Sequence, residues 1–91
     1  MTAEEKIKRA HEAQRILESS LYKDAWMGIR QQLLDDWAMA ETTEARERIH
    51  FEFKALDRVQ QYLSSAISDG TLTRMTIDRM RKRSESKQGI L

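Results

Sequence analysis

The sequence predicts an all-α protein, built as a long antiparallel helical hairpin with a shorter N-terminal helix and a basic, partly helical C-terminal arm. Three observations predict this fold class. The 91 residues include no proline and only three glycines, so few positions break a helix. Apolar residues recur at spacings of three and four along most of the chain. The alternation of β-branched residues that indicates strands is missing from the sequence.

The first helix is predicted over about residues 3–18. Thr2 and Glu5 match a capping box, in which the Thr2 hydroxyl accepts a hydrogen bond from the Glu5 N–H. The apolar residues of this helix form one narrow stripe. They are Ile7, Ala10, Ala13 and Leu17. Because the stripe is narrow, the helix needs another helix to pack against.

The second helix is predicted over about residues 21–40, after Ser19-Ser20, where the serine hydroxyls favour a new N-cap or a kink. Its apolar stripe lies on one helical face. The stripe consists of Tyr22, Trp26, Ile29, Leu33 and Trp37. Gly28 lies in the middle of this helix, where it costs about 1 kcal/mol relative to alanine. Close approach of another helix is a reason to tolerate it there.

The third helix is predicted over about residues 44–69, with Thr42 or Thr43 as its N-cap. Its stripe consists of Ile49, Phe53, Leu56, Leu63 and Ile67. Gly70 follows Asp69 and predicts a left-handed C-cap, because glycine adopts positive φ without steric cost. Two long helices joined by a short turn predict an antiparallel hairpin, with the first helix packed across it.

These boundaries divide the chain into a helical domain, residues 1–70, and a basic arm, residues 71–91. The domain carries ten basic and thirteen acidic residues, whereas the arm carries six basic and two acidic residues. Thr71 or Thr73 is expected to cap a short helix in the arm. The basic residues of the arm are Arg74, Arg79, Arg81, Lys82, Arg83 and Lys87. Ile90 and Leu91 end the chain as an apolar terminal anchor.

The basic arm has four interpretations. It neutralises phosphates of a nucleic acid, it contacts anionic lipid, it docks onto an acidic protein surface, or it is solvated without a partner. The lipid interpretation is weak because the apolar face of the arm is small and lacks aromatic residues. Protein docking ranks above nucleic acid, because Leu72, Ile77 and Met80 add apolar contacts to the charge.

Several classes of chemistry find no support. The absence of cysteine excludes disulfides, thiol chemistry and cysteine-based metal sites, and three isolated glycines cannot build a phosphate loop. Glu47 and His50 have the Glu-x-x-His spacing of helical di-iron proteins, but so short a pattern arises easily by chance, and a solvated charged face is the favoured interpretation. His11 and His50 have no serine or cysteine nucleophile in a recognisable pattern. We therefore expect no enzymatic activity, no cofactor, no metal and no small-molecule substrate.

Targeting signals are also missing from the sequence. The N-terminus lacks an apolar signal region, and no apolar run approaches about 18 residues. We expect a soluble protein without a secretion signal and without membrane contact.

The aromatic and apolar residues exceed what one hairpin covers, and such an excess is typical of self-association or of a partner groove. The tryptophans could also stack on bases, but their place in an apolar stripe favours burial. The expected partner interface consists of Tyr22, Trp26, Ile29, Leu33, Trp37, Phe51 and Tyr62. We expect a homo-oligomer or a larger protein assembly.

One pattern extends over roughly residues 8–75. It includes Trp37-Ala-Met-Ala-Glu-Thr-Thr-Glu-Ala-Arg-Glu-Arg-Ile-His, then Lys54-Ala-Leu-Asp-Arg-Val and Ile67-Ser-Asp-Gly-Thr-Leu. It resembles small all-helical proteins of tailed bacteriophages and prophages, encoded among head and packaging genes. The resemblance implies a non-enzymatic role in phage assembly or virion structure, located in the host cytoplasm or the virion. The alternative function is a small nucleic-acid-binding protein, a packaging or regulatory factor that uses the basic arm.

Overall fold

A computed structural model describes the backbone of residues 1–90 and the side chains of residues 1–85. The described chain is all-helical and has three helices: α1 (Ala3–Glu18), α2 (Ser20–Met39) and α3 (Thr43–Ile90). The molecule is elongated, with extents of 75 × 26 × 19 Å. Since α3 has 48 residues, its length of about 72 Å at 1.5 Å per residue sets the long axis.

Each helix begins at a hydroxyl side chain that caps its first turn. Thr2 Oγ1 accepts a hydrogen bond from the Glu5 N–H at 3.1 Å, which confirms the predicted N-cap of α1. Ser19 Oγ accepts from the Tyr22 N–H at 3.3 Å, so one serine separates α1 from α2. Thr42 Oγ1 accepts from the N–H of residue 45 at 3.1 Å and starts α3. These short polar signals fix three helix boundaries because each hydroxyl satisfies an N–H that lacks an intrahelical partner.

The predicted end of the third helix at Asp69 is wrong. α3 continues through Gly70 as far as Ile90, and no glycine in the described chain has positive φ. The predicted caps at Thr71 and Thr73 are wrong as well, because the Thr73 hydroxyl donates to the Asp69 carbonyl at 2.8 Å within the helix. Residues 71–90, predicted as a partly helical arm, are therefore the second part of one continuous helix.

Gly70 is buried because α1 crosses α3 at this point. A Cβ at Gly70 would overlap the Cβ of Ala10 and would lie 3.0 Å from the Lys6 carbonyl oxygen. Ala10 and Ala13 are two of the four buried hydrophobic residues among the described side chains. Small residues on both helices thus let the two backbones approach closely. Steric fit, rather than chain termination, accounts for the glycine.

The residues of α3 that face α1 and α2 repeat every three and four positions, and the stripe passes through Gly70 without interruption. All are buried or half-buried: Ile49, Phe53, Leu56, Leu63, Ile67, Gly70 and Ile77. A repeat averaging 3.5 residues keeps one seam of a long helix turned towards its neighbours. This is why one helix serves both shorter helices, α2 along its first part and α1 along its second.

α1 packs more extensively against α3 than α2 does. Arg30 of α2 lies over the ring of Phe53 at 5.7 Å, and Met39 lines the same groove as Ala45 and Ile49. Among the described residues, no helix combines the length and apolar composition needed to cross a bilayer.

The predicted close approach of a helix to Gly28 is wrong within the described chain. A Cβ built at Gly28 has no atom within 4 Å outside its own helix. Gly28 and Gly70 therefore differ in kind, since Gly70 is required by packing and Gly28 lies in open space.

We expect Gly70→Ala to destabilise the protein and Gly28→Ala to stabilise it. At Gly70 the added methyl group pushes α1 away from α3, which outweighs the better helix propensity of alanine and costs about 1–3 kcal/mol net. At Gly28 only the propensity gain of up to about 1 kcal/mol remains. Urea unfolding followed by circular dichroism measures both changes.

The double variant Gly70→Ala/Ala10→Gly is the control for the steric explanation. Removing the methyl group of residue 10 reopens the space, so part of the lost stability returns, although glycine in α1 has its own helix cost. A Gly70→Ala protein as stable as the wild type would show that the two backbones do not approach so closely.

Candidate functional site

The apolar surface is the candidate functional site, because the core is too small to hold the large apolar side chains. Within residues 1–85 the buried hydrophobic residues are Ala10, Ala13, Leu33 and Ile49, and no aromatic residue is among them. Many large apolar side chains of the same residues are exposed, for example Met39 at 80% and Phe51 at 63%. Exposed apolar side chains that form a contiguous patch are typical of interaction sites in soluble proteins.

The predicted interface residues divide into three groups by their exposure. Leu33 is only 6% exposed and belongs to the core between α2 and α3. Tyr22 and Trp26 are half-buried. The remaining four are exposed: Ile29, Trp37, Phe51 and Tyr62. The apolar stripe of α2 is therefore buried only in part: Leu33, Tyr22 and Trp26 are shielded, whereas Ile29 and Trp37 remain exposed to solvent.

Sequence reasoning missed further exposed apolar residues of α2. Leu21 is 77% exposed and Met27 is 65% exposed. Leu21 and Met39 share one flank of the helix, and Met27 and Leu34 share the opposite flank, at 100° per residue. The signal was present in the sequence, because a helix with apolar residues on several faces is typically buried by several neighbours. α2 has α3 on one side only.

The contact between α2 and α3 contains a cation lying over two aromatic rings. The guanidinium of Arg30 lies 5.5 Å from the ring of Trp26 and 5.7 Å from the ring of Phe53. These separations fall within the range of cation–π attraction. Arg30 therefore connects the middle of α2 to the first part of α3, and the charged group stays at the edge of the apolar contact.

Two polar side-chain atoms of α2 are buried. The Tyr22 hydroxyl and the Trp26 Nε1–H are shielded from solvent, and neither has a hydrogen-bond partner among the described protein atoms. A buried donor without a partner costs about 1–3 kcal/mol. The packing of α2 is therefore governed by its apolar surface and not by polar complementarity.

Polar side chains connect α1 to α3 on both sides of the crossing at Gly70. Arg9 Nη2 donates to the Tyr62 hydroxyl at 2.8 Å. Arg74 Nη2 lies 2.9 Å from His11 Nε2, which accepts the bond when that ring nitrogen carries no proton. The hydroxyl of Tyr62, one of the predicted interface residues, is thus hydrogen-bonded to α1 of the same chain.

The predicted basic arm is a helical extension of α3. Arg74 contacts α1 through His11, whereas Arg79, Arg81, Lys82 and Arg83 are exposed. α1 lies beside α3 as far as Met75 and Asp78, and every residue over 78–85 is exposed. The side chains of Lys87 and Ile90, and residue Leu91, lie outside the described residues.

The histidine and carboxylate residues do not assemble into a cluster. In the described part of the chain no three histidine, aspartate or glutamate side chains lie close enough together to hold a metal ion. His50, half of the Glu-x-x-His pair, is exposed and lies at a tilted angle beside the Phe51 ring, with 6.1 Å between ring centroids.

Comparison of this chain with known proteins gives no match among family models, curated proteins or solved structures. The resemblance to phage proteins seen in the sequence therefore stays a prediction.

We expect Tyr22→Phe and Tyr62→Phe to have different effects on stability. Removing the Tyr22 hydroxyl eliminates a buried group without a partner, so the free energy of unfolding stays equal or rises by up to about 1 kcal/mol. Removing the Tyr62 hydroxyl breaks the exposed bond to Arg9 and lowers stability by about 0.5 kcal/mol. Chemical denaturation of the two matched variants measures the difference, and a larger loss from Tyr22→Phe would contradict it.

Proposed function

We propose that this protein is a non-enzymatic component of phage assembly or of the virion, which acts through helix-face packing and oligomerisation. In this proposal α2 and the first part of α3 form an antiparallel helical hairpin, and the basic end of α3 docks onto a partner protein. The phage context is supported by the sequence resemblance alone. The mode of action is supported by the apolar surface.

The observation that carries the proposal is the mismatch between core and surface. Fully burying one large apolar side chain stabilises a protein by about 1.5–3 kcal/mol, yet the buried set of the described residues consists of two alanines and two aliphatic residues. Trp37, Met39 and Phe51 lie near the turn between α2 and α3 and remain 43%, 80% and 63% exposed. A neighbouring subunit supplies the burial that the isolated chain lacks.

Self-association is expected at micromolar concentrations. Sedimentation equilibrium or light scattering should give a mass of at least twice the 10.7 kDa of one chain. The variant Met39→Ser/Phe51→Ser should lower the association constant by about tenfold or more, because it removes two side chains that gain burial only in the assembly. A wild-type protein that stays monomeric across this range, with no assembly partner, contradicts the proposal.

Lys8→Ser is the matched control for this experiment. Lys8 is exposed and, at 100° per residue, lies on the face of α1 opposite the buried Ala10 and Ala13, so its replacement should leave the association constant unchanged. Circular dichroism of each variant at low concentration checks that the helices remain folded.

The second candidate function is nucleic-acid binding through the same end of α3. It is favoured by four cations that are exposed on one helical extension, Arg79, Arg81, Lys82 and Arg83. A lone basic helix neutralises phosphates without requiring a particular base sequence.

Nucleic-acid binding predicts a steep dependence on salt. Affinity for duplex DNA, measured by fluorescence anisotropy, should fall at least about a hundredfold between 50 and 200 mM salt if four or more phosphates are neutralised. Replacing the four cations by glutamine should abolish the binding. No detectable binding at 50 mM salt removes this candidate.

A further inference from the structure

α3 connects two ends of the molecule that carry opposite charge. Residues 35–47, at the turn between α2 and α3, contain five acidic residues and one basic residue. Residues 74–83 contain five basic residues and one acidic residue. We name these the acidic end and the basic end. Their charged side chains are exposed: Asp35, Asp36, Glu41, Glu44 and Glu47 at one end, and Arg74, Arg79, Arg81, Lys82 and Arg83 at the other.

Each end also exposes large apolar side chains. At or next to the acidic end these are Trp37, Met39 and Phe51, the last of which shares a shallow groove with Glu44 and Glu47. At or next to the basic end they are Leu72, Met75 and Met80, exposed by 62%, 51% and 67%. The two ends therefore match each other in apolar character and complement each other in charge.

The basic end is supported by α1 only up to Asp78, through contacts such as that of Arg74 with His11; beyond it, the described residues of the chain provide no packing partner. Every residue over 78–85 is exposed, and an isolated helical segment of this length is marginal in water. The acidic end of the same chain cannot supply that support. Glu44 and Arg83 are separated by 39 residues of one helix, or about 58 Å at 1.5 Å per residue. The complementary surface has to come from another molecule.

We infer that the partner is a second copy of this chain, paired antiparallel along α3, so that the acidic end of each copy lies against the basic end of the other. This inference rests on the proposed self-association and adds its geometry. A two-fold axis near residue 63 brings both pairs of ends together at once, whereas a parallel arrangement places like charges side by side.

The middle of α3 suits such an axis. Near residue 63 the helix presents a polar groove lined by Gln60, Gln61, Ser64, Ser65 and Ser68 and bounded by the carboxylates of Asp57 and Asp69, all of them exposed. Three serines within five residues leave room for another helix to approach. The large apolar contacts then lie towards the two ends, where the charges select the antiparallel orientation.

Charge reversal tests the pairing. The variant Glu44→Lys/Glu47→Lys and the variant Arg79→Glu/Lys82→Glu should each dimerise at least about tenfold more weakly than the wild type, because like charges face each other at both contacts. An equimolar mixture should form heterodimers with near wild-type affinity, since both contacts become complementary again. Lys8→Glu/Glu12→Lys reverses charges on α1 and should have no effect.

Distances between spin labels test the orientation in the full-length dimer. The chain has no cysteine, so single cysteines at Ser64 and at Glu44 can be labelled separately and measured by pulsed dipolar spectroscopy. The antiparallel pair gives a short distance, below about 25 Å, at residue 64 and about 60 Å at residue 44. Short distances at both positions indicate parallel pairing and overturn the inference.

The outcomes separate the inference from the proposal on which it rests. A monomer that binds no partner overturns both. A dimer that is insensitive to the charge reversals, or that has short distances at both positions, overturns the antiparallel pairing alone. If reversal at Arg79 and Lys82 abolishes DNA binding but leaves the dimer intact, the basic end serves a nucleic acid and the inference fails.

Discussion

The contact between Ala10 of α1 and Gly70 of α3 is the constraint on which the rest of the structure depends. Because neither residue has a side chain larger than a methyl group, α1 lies directly against the backbone of α3. That contact holds α3 as one helix through a position where glycine would otherwise favour an end. It also places Arg9 and His11 where they reach Tyr62 and Arg74.

A continuous α3 determines the shape of the molecule. A helix of 48 residues is far longer than either helix that packs against it, so α2 and α1 cover only its first and second parts. The remaining faces of α3, and both flanks of α2, stay open to solvent. Large apolar residues therefore remain exposed, because two short helices cannot cover the whole surface of a molecule that is 75 Å long.

The small hydrophobic core limits the stability of the isolated chain. With four buried hydrophobic residues among the described side chains, the isolated chain has little apolar burial to offset its conformational entropy. A partner that binds the folded state stabilises it by mass action. In the proposed assembly, folding and association are coupled, and the separated charges of α3 would give the assembly an orientation that apolar contact alone does not supply.

The sequence by itself determined the helical class and the start of α1 at Thr2, and it narrowed the other two starts to Ser19-Ser20 and to Thr42 or Thr43, because these hydroxyls act on N–H groups within three residues of themselves. It also determined the separation of charge along the chain, and it indicated one apolar face of α2, of which Tyr22, Trp26 and Leu33 are buried or half-buried in the structure. What only the tertiary structure decided was the role of Gly70. A glycine before a break and a glycine beneath a crossing helix look alike in sequence, because the difference lies in Ala10, sixty residues away. The same long-range contact decided that the basic segment extends α3 and which apolar residues stay exposed, since burial depends on neighbours that local spacing does not specify.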